Sequence, residues 1–144
     1  MDNSLPIQFR TIIPDDYNFI IQTWGRAYRT NYPINFIPSQ IYFESQNKLI
    51  NSILSTGTTI IACLDDEPNT ICSYVVAEQK GDTLYLHWAN TKAIFRRLGI
   101  FKSLLEQFTY KNLIVTHHFS LFKNIKERYG MIYDPTVLES YHGK

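Results

Sequence analysis

The stretch IFRRLGIFKSLLEQF, residues 94–108, gathers Arg96, Arg97 and Lys102 around a lone glycine, Gly99, directly before an apolar stripe. A helix start leaves several backbone N–H groups without intrahelical partners and carries partial positive charge. A glycine lets the chain turn tightly into such a start, so that those groups can face a phosphate. The same residues also suit an ordinary strand-to-helix corner with solvated arginines. Spacing alone leaves both readings open.

Few other residues could do chemistry. His87 titrates near neutrality and is the best candidate for a general base, although a packed strand histidine is the commoner case. Tyr129 and Tyr133 are candidate acids, and Tyr85 could orient a substrate. Tyr129 also continues an apolar stripe. His117 and His118 are adjacent, so on a strand they face opposite ways and cannot share a metal. Cys63 and Cys72 make neither a metal pattern nor a disulfide framework, and read as buried thiols. No metal site is expected.

The elements that must position these groups follow from periodicity and turn chemistry. Residues 6–13, PIQFRTII, read as a strand, and Pro14-Asp15 as a helix start. Tyr17, Ile20, Ile21, Trp24 and Tyr28 recur at helical spacing. A loop with two prolines spans 30–38, and a second helix runs from Ser39 to about Leu54. TTIIACL, TICSYVVAEQ and TLYLHWAN are three strands separated by DDEPN and KGD, an expected antiparallel meander. Regular alternation in the third puts Leu84, Leu86 and Trp88 on one face and Tyr85, His87 and Ala89 on the other. Phe101, Leu104, Leu105 and Phe108 then form a helix stripe. NLIVTH reads as a strand, and FSLFKNIKERYG as a helix with Leu121, Phe122, Ile125 and Tyr129 on its apolar side. Lys126 and Arg128 suit that helix's C-terminal end, and Gly130 its left-handed stop. MIYDPTVLE closes the chain as a strand interrupted by Pro135. The result is an α/β chain of order β-α-α-β-β-β-α-β-α-β with a mixed, mostly antiparallel sheet flanked by helices.

The chain has 144 residues and a net charge of +1. That length suits one domain, residues 1–144, with its own core. The near-neutral balance argues against a nucleic-acid binder, which usually carries a basic surface. There is no long apolar span and no signal-peptide pattern at MDNSLPIQFR, so a soluble, cytoplasmic protein is expected, with no membrane partner.

The motif in its place within this element order resembles the GNAT superfamily of acyl-CoA-dependent N-acyltransferases. The superfamily's signature is Arg or Gln, two residues, Gly, one residue, then Gly or Ala. Arg96, Arg97, Leu98, Gly99, Ile100 and Phe101 occupy those positions. TLYLHWANT takes the place of the superfamily's fourth strand, NLIVTH of its fifth, and QFRTIIPDD looks like its first strand and helix start. The resemblance spans nearly the whole chain. It implies acetyl-CoA or another acyl-CoA as cofactor and an amine acceptor, small molecule or protein. It also implies that Ala89, Asn90 and Thr91 touch pantetheine, while the turn from Arg96 through Arg97, Leu98, Gly99, Ile100 and Phe101 to Lys102 holds pyrophosphate. Transfer would be by direct attack in a ternary complex, with no enzyme nucleophile. Two positions depart from the pattern. Phe101 stands where small residues are usual; as the first residue of the stripe it is expected on the core side. Lys126 stands where the superfamily often has a tyrosine that protonates the departing thiolate. His87, Lys126 and Tyr129 are therefore the candidate catalytic groups. The departures keep open a second expectation: a catalytically inactive GNAT-fold subunit of a homo-oligomer or larger assembly.

Overall fold

The computed structural model describes residues 6–96, 99–117, 119 and 122–141. Six strands lie side by side in sequence order: β1 (Ile7–Thr11), β2 (Thr58–Leu64), β3 (Ile71–Lys80), β4 (Thr83–Thr91), β5 (Asn112–Val115) and β6 (Met131–Tyr133). The first four are antiparallel; β5 runs parallel to β4, and β6 parallel to β5. The helices are α1 (Tyr17–Arg29), α2 (Ser39–Thr56), α3 (Ile100–Leu105) and α4 (Phe122–Ile125). The mixed α/β architecture and element order are those expected from the sequence. No helix among the described residues is long and apolar enough to cross a membrane.

Local chemistry explains most boundaries. Pro14 opens a short 3₁₀ turn ahead of α1, where a missing N–H costs nothing. Asp16 locks that turn to β1, accepting from Arg10 at 2.7 and 3.0 Å and from the Ile13 N–H at 2.9 Å. Burial pushes the Asp16 carboxyl up, but the Arg10 hydrogen bonds, the Ile13 N–H and the Arg10 charge together hold it below its usual value. The central strand β3 is buried on both faces from Ile71 to Ala77, and its sequence accordingly lacks alternation.

One face of the sheet carries α1 and α2. Trp24 of α1 stacks on Trp88 of β4 with ring centroids 5.8 Å apart. Thr23 of α1 bonds the Tyr74 hydroxyl of β3 at 2.6 Å. The other face carries α3, which packs on β2, β3 and β4.

The structure differs from the sequence reading in three places. First, β4 does not alternate regularly. Ala77 pairs with Leu86 and Val76 with Trp88, so His87 is the extra residue of a β-bulge. Cross-strand partners share a face, so Leu86 and Trp88, expected together, lie on opposite faces. Second, α3 buries Ile100, Leu104 and Leu105, and Phe108 lies beyond its end. Ile100 opens the buried stripe, and Phe101 is only partly buried. Third, the two C-terminal elements are short. Of the helix expected over 119–130, the described residues are helical over Phe122–Ile125, and Ser120 and Leu121 lie outside the described residues. The last strand ends at Tyr133, after which Pro135 starts a 3₁₀ segment to Tyr141.

Candidate functional site

The pairing of β4 with β5 stops at Leu86–Val115, with one further bond from the Thr116 N–H to the Leu86 carbonyl at 3.1 Å. From His87 to Thr91, β4 is paired only on its β3 side among the described residues. An unpaired strand edge presents a row of backbone donors and acceptors. That edge leads to a cavity of about 450 Å³ between α3 and the α4 segment.

Thr91, Phe95, Arg96, Gly99, Phe101 and Lys102 line one side of this cavity, and Ile125, Arg128 and Tyr129 the other. Gly99 is the N-cap of α3 at φ 75°, a left-handed conformation that favours glycine, and a Cβ there would meet nothing within 4 Å. The residue is thus required by backbone conformation rather than by crowding. Arg96 donates from Nε to the Thr91 carbonyl at 3.2 Å, tying the end of β4 to the turn. Three cations, Arg96, Lys102 and Arg128, converge on the cavity. The sequence reading missed Arg128, which it assigned to helix-end electrostatics. Of the residues expected at pantetheine, Thr91 lines the cavity, while Ala89 and Asn90 lie on the strand behind it. Arg97 and Leu98 lie outside the described residues.

A second cavity, of about 510 Å³, lies across the α4 segment. Phe119, Phe122 and Met131 give it apolar walls; Asn31, Lys123, Lys126 and Tyr133 bring polar groups. Burial raises the Tyr133 phenol above its usual value. The wall toward the first cavity contains an aromatic pair. Phe119 lines the second cavity, Phe101 the first, and their rings lie 5.9 Å apart. Phe101 also meets Tyr129 edge-on at 5.7 Å. It is therefore a cavity wall as well as a packing residue. The candidate acids are divided: Tyr129 lines the first cavity and Tyr133 the second, where Lys126 also lies.

His87 lines neither cavity. It is fully buried, and its ring belongs to a hydrogen-bonded chain. Tyr141 donates its hydroxyl proton to Glu78. The Tyr141 oxygen can then only accept, so His87 Nε2–H donates to it at 3.3 Å. His87 Nδ1 accepts from the Thr116 hydroxyl at 2.8 Å, and Thr116 accepts from His117 Nδ1–H at 3.1 Å. Burial, with a smaller contribution from the Lys80 charge, lowers the His87 pKa to about 4. His117 is held among the rings of Trp24, Tyr28 and Trp88 and is lowered to about 3, by burial first and then by His87. The sequence reading gave His117 no partner. Nothing in a one-dimensional pattern joins it to His87, which lies on the neighbouring strand β4. His118 lies outside the described residues.

No protein-family model and no curated protein sequence matches the chain. Solved structures do. A possible acetyltransferase from Clostridium difficile matches with TM-score 0.59 at 14% identity, over 89% of this chain and 91% of that one. A predicted acetyltransferase from Clostridium acetobutylicum, solved with acetyl-CoA, matches with TM-score 0.56 at 14% identity, over 86% and 88%. A GNAT family acetyltransferase from Brucella melitensis, in complex with acetyl-CoA, matches with TM-score 0.51 at 11% identity, over 83% and 80%. The chain therefore has the fold of the GNAT acetyltransferases, as its element order and arginine-glycine turn led us to expect.

Proposed function

We propose that the protein is an acyl-CoA-dependent N-acyltransferase. The observation that carries this reading is the open edge of β4 beyond Leu86, leading into a cavity whose mouth is the Gly99 turn and three cations. The residues fit the group. A pantetheine amide can pair with a strand edge, and a pyrophosphate suits Arg96, Lys102 and Arg128 beside the first N–H groups of α3. When bound, acyl-CoA supplies an activated thioester. The acceptor nitrogen bonds to the acyl carbon, the C–S bond breaks, the amine loses a proton and the thiolate gains one. Cys63 and Cys72 are buried in β2 and β3, which supports direct attack over an enzyme thiol. Tyr129 in the first cavity and Lys126 and Tyr133 in the second are the groups placed to hold or move protons. His87, buried away from both, holds the bulge. The acceptor enters through the second cavity and meets the thioester at the Phe101–Phe119 wall.

That wall also supports a second reading. If the two rings stay closed, the protein binds CoA without transferring, as a GNAT-fold binding or structural subunit would.

The test is melting against CoA concentration together with thiol release in the presence of amines. Ligand at 100 times its Kd stabilises a native state by about 2.7 kcal/mol, a rise of roughly 5–10 °C for a chain of this size. Gly99→Val should abolish the rise by disfavouring the left-handed turn. Binding with thiol release supports the enzyme; binding without release for any amine, or no binding by the folded protein, refutes it and supports the inactive subunit.

A further inference from the structure

The second cavity has a charge pattern that selects its occupant. Lys123 and Lys126 line it, and no carboxylate does among the described residues. An amine acceptor arrives as a cation and must become neutral before it can attack. Two ammonium groups oppose a cation and favour the neutral form of any amine held beside them. The field therefore opposes the ammonium form of an acceptor, and His87 is not within reach to act as a general base. The same field repels acceptors with two or more positive charges, such as polyamines. It attracts an acceptor that carries its own carboxylate. Of the other lining residues, Phe119, Phe122 and Met131 are apolar and suit a hydrocarbon or aromatic side chain, while Asn31 and Tyr133 add polar groups.

We propose that the acceptor is an apolar α-amino acid. Its carboxylate pairs with Lys123 and Lys126, its side chain lies on Phe119, Phe122 and Met131, and its amine points to the Phe101–Phe119 wall. The cavity volume of about 510 Å³ accommodates a molecule of that size. This inference rests on the acyltransferase reading and narrows its substrate. Lys123 and Lys126 are binding residues in it.

The test compares phenylalanine with phenethylamine, which is the same molecule without the carboxylate, and with spermidine. Two readouts are used: the melting shift with CoA present, and kcat/KM for acyl transfer. Phenylalanine should be favoured over both at least about tenfold, and the Lys123→Gln/Lys126→Gln double variant should remove that preference while its melting temperature still rises with CoA. The retained rise with CoA guards against a variant that merely misfolds. Preference for phenethylamine or spermidine in the wild type would overturn the inference while leaving the acyltransferase reading intact. So would equal loss of both aromatic substrates in the double variant. A CoA-bound protein that neither shifts with phenylalanine nor acylates it would also overturn it, and failure to bind CoA would remove the acyltransferase reading instead.

Discussion

Acidifying the solution from pH 7 to pH 4 should bring the protein close to unfolding through two buried imidazoles. His87 is held at about 4 and His117 at about 3. Unfolded histidine titrates near 6.5. Both groups therefore bind protons more readily in the unfolded chain than in the fold. Their contribution to stability is fully present above about pH 6.5 and is lost as the pH falls toward the folded values. Each depressed histidine gives a slope of about 1.4 kcal/mol per pH unit within that window. Between pH 6.5 and 4 this amounts to about 3 kcal/mol for each, or about 6–7 kcal/mol together, against a typical total of about 5–15 kcal/mol. The surroundings do not reverse the sign. Glu78 lies 3.8 Å from His87 Nε2 but already accepts a hydrogen bond from the Tyr141 hydroxyl. Lys80 opposes protonation of His87, and a charge on either histidine opposes the other through Thr116. Asp16 is lost in a separate, more acidic window, below the ordinary carboxylate value of 3.8. Urea unfolding at pH 7, 6 and 5, in a background carrying His118→Gln and His142→Gln, isolates the pair. The free energy should fall by about 2–3 kcal/mol per unit below pH 6, and His87→Gln should roughly halve the slope. A flat profile from pH 7 to 5, or either ring titrating near 6.5 by NMR, would refute the reasoning.

Two further outcomes follow from the cavity walls. Phe101→Ala should destabilise the fold by about 2–3 kcal/mol, somewhat less than the 3–5 kcal/mol of a fully buried aromatic, because the ring is only partly covered. In urea titrations it is also expected to leave CoA binding intact; a loss of binding would mean that Phe101 supports the cofactor rather than walls it off. His87→Gln keeps hydrogen-bonding groups for the Thr116–Tyr141 chain, so turnover at pH 7.5 should stay within about threefold, whereas loss of a working base would cost about 10²–10⁴ in steady-state rate.

What the sequence revealed was local. The Gly99 turn, the Pro14 helix start and the Leu104–Leu105 stripe each depend on a few neighbouring residues, and the structure has them all. Which residue opens the α3 stripe was not local. Ile100 and Phe101 both fit a helical apolar face, and only the position of β3 beneath the helix decides that Ile100 is covered. The same limit hid the cavity linings. Arg128 reads as a helix-end cation until the crossover from β5 to β6 brings it opposite Gly99. Lys123 has no signal at all beyond its charge. Regular alternation misplaced Trp88 because periodicity assumes uninterrupted pairing, and the bulge at His87 shifts the phase of every residue after it.

That one irregularity links the histidine and the cleft. A bulge leaves one residue unpaired and increases the local twist of its strand. Here the unpaired residue is His87, and the last β4–β5 pair, Leu86–Val115, comes immediately before it. A parallel neighbour in register before the bulge cannot follow the altered twist after it, so β5 leaves β4 after Val115 and β4 continues to Thr91 paired only with β3. The bulge that carries the histidine ring into the buried Glu78–Tyr141–Thr116 chain also frees the strand edge that leads to Gly99. The hydrogen bonds of His87 to Thr116 and Tyr141 then fasten the point of divergence from both sides: Thr116 belongs to the departing chain after β5, and Tyr141 to the C-terminal 3₁₀ segment. On this view the histidine shapes the cleft through the fold, and the chemistry at the cleft falls to the residues that line it.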